Sequence, residues 1–286
     1  MYTAKIENNN GEILTLTGKE RQYQIISITG LNPPKAQVNS SSIAGLDGAI
    51  FNSAKLETRN IVLTVKINGN VEANRLNLYK FFPTKTKCRF FYANGSLDVS
   101  IDGYVDSVEC NLFSQSEIAQ ISLLCLSPYF QSIAEIIADS SNALPQFTFP
   151  FSINIGAPVV FSDLTEDGEI AVYNSSESET PTTIEIDFMA SAHSLTLINT
   201  NGGDTLELDF DFATGDKVII NTTKGGKSVT LLRGGALSNL FSAVKKGSKF
   251  FQLRPGVNIV DFAVDGQPGS GAVFIVFRFH NSYRGV

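Results

Sequence analysis

The sequence predicts a mainly β protein, with an N-terminal β-sandwich or split-barrel-like domain that carries one helix and a C-terminal β-sandwich of jelly-roll type. Three observations predict this class. Apolar and polar residues alternate with the period of a strand in most segments, as in QYQIISITG (22–30). Pairs such as Asn68-Gly69 and Asn94-Gly95, which suit tight turns, separate these segments. Helical spacing is prominent in one segment alone, VEANRLNLYKFFP.

The first half of the chain alternates strands with turns before and after that helix. Strands are predicted at 22–30, 60–69, 88–95, 97–108 and 118–127. Asp102-Gly103 has the composition of a further turn. A second, weaker helical pattern follows Pro128, in PYFQSIAEIIAD.

The helix is predicted over about residues 71–82. Asn70 can cap its first turn, and Pro83 ends it because proline lacks the N–H that a helix interior requires. Its predicted buried face consists of Ala73, Leu76, Tyr79 and Phe82.

The chain length of 286 residues suggests about two domains. The uncharged stretch SSNALPQFTFPF, with two prolines, is typical of a connector. We therefore predict an N-terminal domain over 1–139, a connector over 140–150 and a C-terminal sandwich over 151–286. Short strands recur in the last segment every 8–12 residues or so, which favours a jelly roll with its phenylalanines in the core.

Charge is distributed unevenly along the chain, whose net charge is −6. Residues 1–89 contain 12 Lys/Arg and 6 Asp/Glu, whereas residues 90–216 contain 20 acidic and no basic side chains. Residues 217–286 contain 10 basic and 2 acidic side chains. Because an acidic stretch alone would repel itself, we predict that strands before and after Lys217 interleave in one antiparallel domain. The acidic total argues against free nucleic acid as the main ligand.

The cysteines and the start of the chain indicate a protein made in the cytoplasm. Cys88, Cys110 and Cys125 lie in apolar runs, are odd in number and lack CxxC spacing, so we predict buried free thiols. The first residues lack the features of a signal peptide. An apolar run of about 18 residues, long enough to span a membrane, is absent.

The motifs that carry chemistry are weak or incomplete. GLDG (45–48) lacks the third glycine and the helix of a phosphate loop, and TTKGGKSVT (222–230) continues as a strand. His193 and His280 do not have ligand spacing, and we expect no orienting partner because nothing near them in the sequence supplies one. The acidic runs 162–169 and 209–217 do not complete a calcium loop. We expect no catalytic residue, no cofactor and no metal.

The ordered motifs resemble the distal tail protein family of siphovirus-type phages. They are GLDGAIFNSAKLETRNIVLTVKING, a short helix, FFP, FYANG, IDGYVDSVE and LLCLSPYF. KFFQLRPGVNIVDFAV (249–264) is similar to the family's F-x-L-x-P-G-x-N strand, and YRGV to its usual terminal Tyr-x-Gly-Val. The resemblance covers nearly the whole chain, most specifically residues 45–130 and 249–286.

The resemblance implies a structural virion protein in the phage tail and not an enzyme. The N-terminal domain would form a homo-hexameric ring at the distal end of a long non-contractile tail, and a galectin-like sandwich would project from it. The ring would be a hub between the major tail tube protein and the tail-associated lysin or tail fibre protein, and an anchor for receptor-binding proteins. DNA would pass through the lumen, and host saccharide stays open as a partner.

Several residues are expected to serve assembly. Gly45 and Gly48 would supply turn conformations, with Asp47 bonding the turn backbone. Arg59 begins a strand and could hold a carboxylate with its planar guanidinium, within the protomer or across the ring. The family motifs add Gly103, Pro128 and Tyr129. The basic excess of residues 1–89 suggests that Lys80, Lys85, Lys87 and Arg89 face a DNA-conducting lumen.

Two other classes of function stay open. A carbohydrate-binding sandwich acting in adhesion would show a cluster of surface aromatic side chains on one face. A sandwich-fold glycosidase would need two carboxylates that converge in a cleft.

Overall fold

A computed structural model describes residues 2–17, 22–45, 47–112, 117–140, 143–145, 162–164, 168–268 and 271–286. The chain forms two compact units, residues 1–134 together with 282–286, and residues 135–281. The predicted connector lies largely outside the described residues. In the described part, no helix is long and apolar enough to cross a membrane.

The first unit contains one large antiparallel sheet and one small hairpin. Its strands are β1 (Thr3–Glu7), β2 (Ile13–Thr15), β3 (Tyr23–Thr29), β4 (Ala36–Ser41), β5 (Ile50–Leu56), β6 (Arg59–Ile67), β7 (Lys87–Ala93), β8 (Asp98–Cys110), β9 (Ile118–Cys125), β10 (Phe130–Ser132) and β24 (Ser282–Tyr283). The sheet order is β2-β1-β7-β8-β9-β6-β3, and β10 pairs with both β8 and β24. The strands β4 and β5 form a separate two-stranded hairpin.

The helix α1 (Val71–Phe81) lies between β6 and β7, as predicted. The Asn70 side chain accepts a hydrogen bond from the Ala73 N–H at 3.3 Å, which satisfies one of the free donors of the first turn. The cap and the following proline therefore set its bounds.

The predicted buried face of α1 is wrong in part. Leu76 and Tyr79 are exposed, whereas Asn74 and Leu78 are buried. Asn74 tolerates burial because its amide donates to the Asn68 carbonyl at 2.6 Å. Its own carbonyl accepts a 2.7 Å hydrogen bond from the Tyr23 hydroxyl. The prediction counted only apolar residues as buried, and it therefore missed a buried face that contains a hydrogen-bonded asparagine.

Two further local predictions are wrong. Asp102-Gly103 is not a turn but lies inside the 13-residue strand β8. The segment after Pro128 is not helical, since it forms β10 and then β11 (Ile136–Asp139). Sheet partners on β24 and on a strand of the second unit, both distant in sequence, override the local helical spacing there.

The second unit is a sandwich of two antiparallel sheets. Its strands are β11, β12 (Ala143–Pro145), β13 (Ser162–Leu164), β14 (Glu169–Asn174), β15 (Thr183–Phe188), β16 (Ala192–Asn199), β17 (Asp204–Phe212), β18 (Lys217–Asn221), β19 (Ser228–Arg233), β20 (Ala236–Asn239), β21 (Gly256–Val264), β22 (Gln267–Pro268) and β23 (Val273–Phe279). One sheet has the order β11-β23-β15-β18-β19-β20, and the other β14-β21-β16-β17 with β22 beside β21, whereas β12 and β13 pair only with each other. Both contribute to one core, which includes Phe188, Phe212, Phe277 and Phe279.

The predicted interleaving of acidic and basic strands is confirmed. The strand β18 pairs with β15, and β21 lies between β14 and β16. The Lys217 ammonium is 3.3 Å from Asp187 and 3.7 Å from Glu185. Arg278 on β23 donates to Glu185 at 3.0 Å. The GKS segment is the predicted turn of the β18–β19 hairpin.

The motif F-x-L-x-P-G-x-N has a structural explanation in the second unit. Phe251 and Leu253 are buried in the core, and Gly256 has a φ of +91°, which a side chain would strain. The fully buried Asn258 side chain accepts from the Arg254 N–H at 2.9 Å and donates to the Arg254 carbonyl at 2.8 Å. The asparagine thus closes the loop that precedes β21.

Asn258→Ala is expected to destabilise the second unit by about 2 kcal/mol, because the buried loop groups lose their partners. Denaturant unfolding followed by far-UV circular dichroism would measure the change. Asn77, exposed on α1, provides the control Asn77→Ala, which should leave the second unit unaffected. Equal midpoints for Asn258→Ala and wild type would contradict the assignment.

The second unit is also expected to lose stability in acid through Asp216. This buried carboxylate accepts from Arg233 at 2.8 and 2.5 Å, and the bonds from Arg233 lower the pKa of Asp216. Because the folded pKa lies below the unfolded value, the contribution is present at neutral pH and is lost as the pH falls below about 4. Unfolding midpoints at pH 7 and pH 3 should differ less in Asp216→Asn than in wild type. Asp209→Asn, at an exposed position, should retain the full pH dependence.

Candidate assembly site

Arg59, the first residue of β6, is buried in the first unit with a relative exposure of 3%. Its Nε and Nη2 donate to the Pro128 carbonyl at 3.1 and 2.8 Å, and Nη1 donates to the Asn32 carbonyl at 2.7 Å. The guanidinium also donates to the carbonyls of Gly30 and Arg284. We call these five residues the Arg59 junction. Its described partners are main-chain carbonyls and not the expected carboxylate.

The guanidinium suits this environment because it offers five donors in one plane. The Phe130 ring lies over it, with its centroid 4.5 Å from Cζ. Burial lowers the pKa of Arg59 from its ordinary value. Four carbonyl dipoles directed at the cation offset part of the loss of hydration. Tyr129, half-buried, follows Pro128 and precedes Phe130.

Close packing of the main chain brings the junction together. Gly30 has a φ of +86°, and a Cβ there would lie 2.1 Å from the Asn60 carbonyl oxygen. A Cβ on Gly285 would lie 2.9 Å from Pro33 Cδ. The Val286 N–H donates to the Leu31 carbonyl at 3.1 Å. The junction therefore joins the β3–β4 loop, the β9–β10 loop and residues 284–286 to the start of β6.

The hairpin β4–β5 follows directly from the junction. At its tip, Gly45 and Gly48 have φ values of +84° and +94°, a region that favours glycine, and Asp47 between them is exposed. Leu56 is half-buried, and the other residues of the two strands are exposed.

The two faces of this hairpin differ in polarity. On one face, Asn39 donates to Ser53 Oγ at 3.0 Å and Asn52 donates to Ser41 Oγ at 2.6 Å. A β-bulge after Asn39 restores the alternation, so that Phe51 opposes Ser40 and lies on the other face. That second face consists of Ala36, Val38, Ser40, Phe51, Ala54 and Leu56, whereas Ile50 opposes Ser41 on the first face. The second face is apolar yet exposed, with relative exposures of 58% for Val38 and 64% for Phe51.

Gly103 is required for its small size and not for a turn. It lies on β8 between Cys88 of β7 and Cys125 of β9, and a Cβ would be 3.0 Å from Cys125 Sγ. Burial raises the pKa of both thiols to about 12, and both are free. The predicted buried free thiols are thus confirmed for Cys88 and Cys125, whereas Cys110 is half-buried.

The four basic residues assigned to a lumen are all exposed, but two of them have a carboxylate partner. Lys87 Nζ and Arg89 Nε lie 2.7 and 2.6 Å from Asp102. Lys80 is on α1, and Lys85 precedes β7. The first unit as a whole contains 13 basic and 11 acidic residues. The basic excess of residues 1–89 is therefore largely balanced by acidic residues of the same unit.

Features that would indicate sugar, metal or acid–base chemistry are sparse in the described part of the chain. The exposed Phe and Tyr side chains there in the second unit are Tyr173 on β14 and Phe241 in a short 3-10 helix after β20. The described residues contain no group of three His, Cys, Asp or Glu side chains that could hold a metal ion. His193 pairs with Asp211 at 2.6 Å, which raises the pKa of this exposed histidine.

The second unit resembles a domain of a phage tail protein family. Residues 175–279 match the model of the siphovirus-type tail component family, C-terminal domain. This match lies within the second unit, and it confirms the resemblance found in the sequence.

Two phage proteins of known structure have a similar fold. The Dit protein of phage SPP1, a hub in phages that infect Gram-positive bacteria, aligns over 99% of both chains with a TM-score of 0.71 and 15% identity. A chain of the phage P2 baseplate, in its activated conformation with Ca, aligns over 100% of both chains with a TM-score of 0.55 and 11% identity. No curated protein matches the sequence. At these identities the likeness establishes the fold.

Proposed function

We propose that the protein is a structural hub at the distal end of a long non-contractile phage tail, where six copies form a ring. The observation that carries the proposal is the likeness to SPP1 Dit over both units of the chain. The tail component domain at 175–279 supports it independently. In this proposal the ring joins the tail tube protein to the tail-associated lysin or fibre protein and anchors receptor-binding proteins.

The structure offers features that suit a scaffold. The first unit presents the Arg59 junction and a hairpin with an exposed apolar face, and the second is a separate sandwich. Apolar, weakly charged surface is typical of subunit contacts. The glycan-binding alternative has weaker support, because the exposed Phe and Tyr side chains in the described part of the second unit, Tyr173 and Phe241, lie on different elements.

Immunogold labelling of virions would test the location directly. With an epitope tag on the exposed 224–226 turn of the second unit, gold should lie at the distal tip of the tail. Light scattering of the purified protein should give the mass of six 31.0 kDa chains, alone or with the tail tube protein. Label at the head, at the neck or along the tube would overturn the proposal.

A further inference from the structure

Four Asn-Gly pairs in the chain are open to an intramolecular reaction. They are Asn10-Gly11, Asn68-Gly69, Asn94-Gly95 and Asn201-Gly202. Because glycine has no Cβ to restrict it, its main-chain nitrogen can approach the side-chain carbonyl carbon of the preceding asparagine and attack it. In a folded protein this attack requires that the nitrogen and the leaving amide group are free. Donors to the side-chain oxygen assist it.

Asn94-Gly95 meets these requirements. The pair lies in the exposed turn between β7 and β8. The Asn94 Oδ1 accepts hydrogen bonds from the Ser96 and Leu97 N–H groups at 2.9 and 2.8 Å. These donors would stabilise the negative charge that develops on Oδ1 when a nucleophile adds to Cγ. Neither the Gly95 N–H nor the Asn94 Nδ2 donates a hydrogen bond to the described part of the chain, so the nucleophile and the leaving group are both free.

Asn201-Gly202, between β16 and β17, is held at each reacting group although its asparagine is equally exposed. The Gly202 N–H donates to the Asn199 carbonyl at 3.1 Å. The Asn201 Nδ2 donates to the Val257 carbonyl at 3.1 Å, and its Oδ1 accepts from the Ile259 N–H at 2.8 Å. An attack here must first break the bonds that hold the nucleophile and the leaving amide. Hydrogen bonding, and not exposure, therefore distinguishes the two pairs.

The other two pairs are each restrained at one point. The Gly11 N–H donates to the Asn8 carbonyl at 3.0 Å, which engages the nucleophile. The Asn68 carbonyl accepts from the Asn74 side chain at 2.6 Å, and this bond fixes the peptide group that contains the Gly69 nitrogen. Both pairs should react more slowly than Asn94-Gly95.

We propose that Asn94 is a site of spontaneous deamidation in the folded protein. The Gly95 nitrogen forms a bond to Asn94 Cγ and gives up its proton, the Cγ–Nδ2 bond breaks, and the amide leaves as ammonia. The product is a cyclic imide. Water then adds to either carbonyl carbon of the ring and opens it to aspartate or to isoaspartate. Each product adds a negative charge to the turn, and isoaspartate also inserts a methylene group into its main chain.

Peptide mapping by mass spectrometry, after incubation of the folded full-length chain, would test the proposal. Asn94 should deamidate at least about tenfold faster than Asn201, whose reaction must first break two more hydrogen bonds. The rate at Asn94 should rise with pH, because the attacking nitrogen must lose its proton. Equal rates at the two sites, or an Asn94 that stays intact while Asn201 reacts, would overturn the proposal.

The same chain unfolded in denaturant is the matched control. Both pairs are then Asn-Gly without fixed hydrogen bonds, so their rates should converge. A difference that persists in the unfolded chain would show that the fold does not select Asn94.

Gly95→Ala tests the nucleophile itself. An added Cβ at Gly95 meets nothing within 4 Å, so the turn tolerates the substitution. The methyl group restricts the approach of the nitrogen, and the variant should slow the reaction at Asn94 while that at Asn201 stays the same. An unchanged rate at Asn94 in Gly95→Ala would contradict attack by this nitrogen. Each of these outcomes is independent of where the protein lies in a virion, so the proposed function is not at stake.

Discussion

Arg59→Ala is expected to lower the free energy of unfolding of the first unit by about 3–5 kcal/mol, because it leaves buried carbonyls without a donor. The carbonyls of Gly30, Asn32, Pro128 and Arg284 lose their common partner, and Phe130 loses the cation above its ring. Arg59→Lys should restore only part of the loss, because an ammonium group donates from one point and cannot span the four acceptors.

Tyrosine fluorescence isolates this effect from the second unit. Seven of the eight tyrosines belong to the first unit, Tyr173 is the exception, and the chain has no tryptophan. Denaturant titration should therefore move the fluorescence midpoint while the far-UV transition of the second unit stays in place. The control Arg89→Ala, at an exposed ion pair with Asp102, should cost no more than about 1 kcal/mol. An unchanged fluorescence midpoint in Arg59→Ala would show that the junction is dispensable.

Gly30→Ala is the second large effect that we expect. The added methyl group meets the Asn60 carbonyl oxygen at 2.1 Å, and the φ of +86° is itself unfavourable for alanine. Because both the β3 end and the β6 main chain must move, the loss should exceed about 3 kcal/mol.

Gly45→Ala separates the two causes of the expected loss of stability, the close approach to Asn60 and the positive φ. Gly45 has nearly the same φ, +84°, but an added Cβ meets nothing within 4 Å. This variant should lower the free energy of unfolding by only about 1–2 kcal/mol, which is the cost of the positive φ alone. The same tyrosine fluorescence titration measures both variants. Similar losses at the two positions would show that the backbone conformation, and not the close approach to Asn60, makes Gly30 necessary.

The sequence predicted those features that depend on local patterns. Strand alternation, the Asn70 cap and Pro83 placed the helix within a residue of its observed bounds. The change from acidic to basic residues at Lys217 predicted the interleaved sandwich, because the pattern directly reflects cross-strand charge pairing.

Features that depend on contacts between distant segments were missed. Asn74 is buried only because Asn68 and Tyr23 are beside it. In the sequence, Asp102-Gly103 has the composition of a turn, and only the structure shows that Cys125 lies against Gly103. Arg59 finds carbonyl acceptors on loops 27 to 225 residues away, and carbonyls have no signature in the sequence. The hairpin bulge shows only when the register of both strands is known.

Residues 282–286 belong to the first unit but follow the second unit in the chain, so the first unit is completed last during synthesis. The strand β24 and the Arg284 carbonyl leave the ribosome only after the whole second unit has been translated. During translation, Arg59 therefore lacks one acceptor and β10 lacks one of its sheet partners until residues 282–286 have been made. A chain interrupted by premature termination would carry an incomplete Arg59 junction at the base of its hairpin.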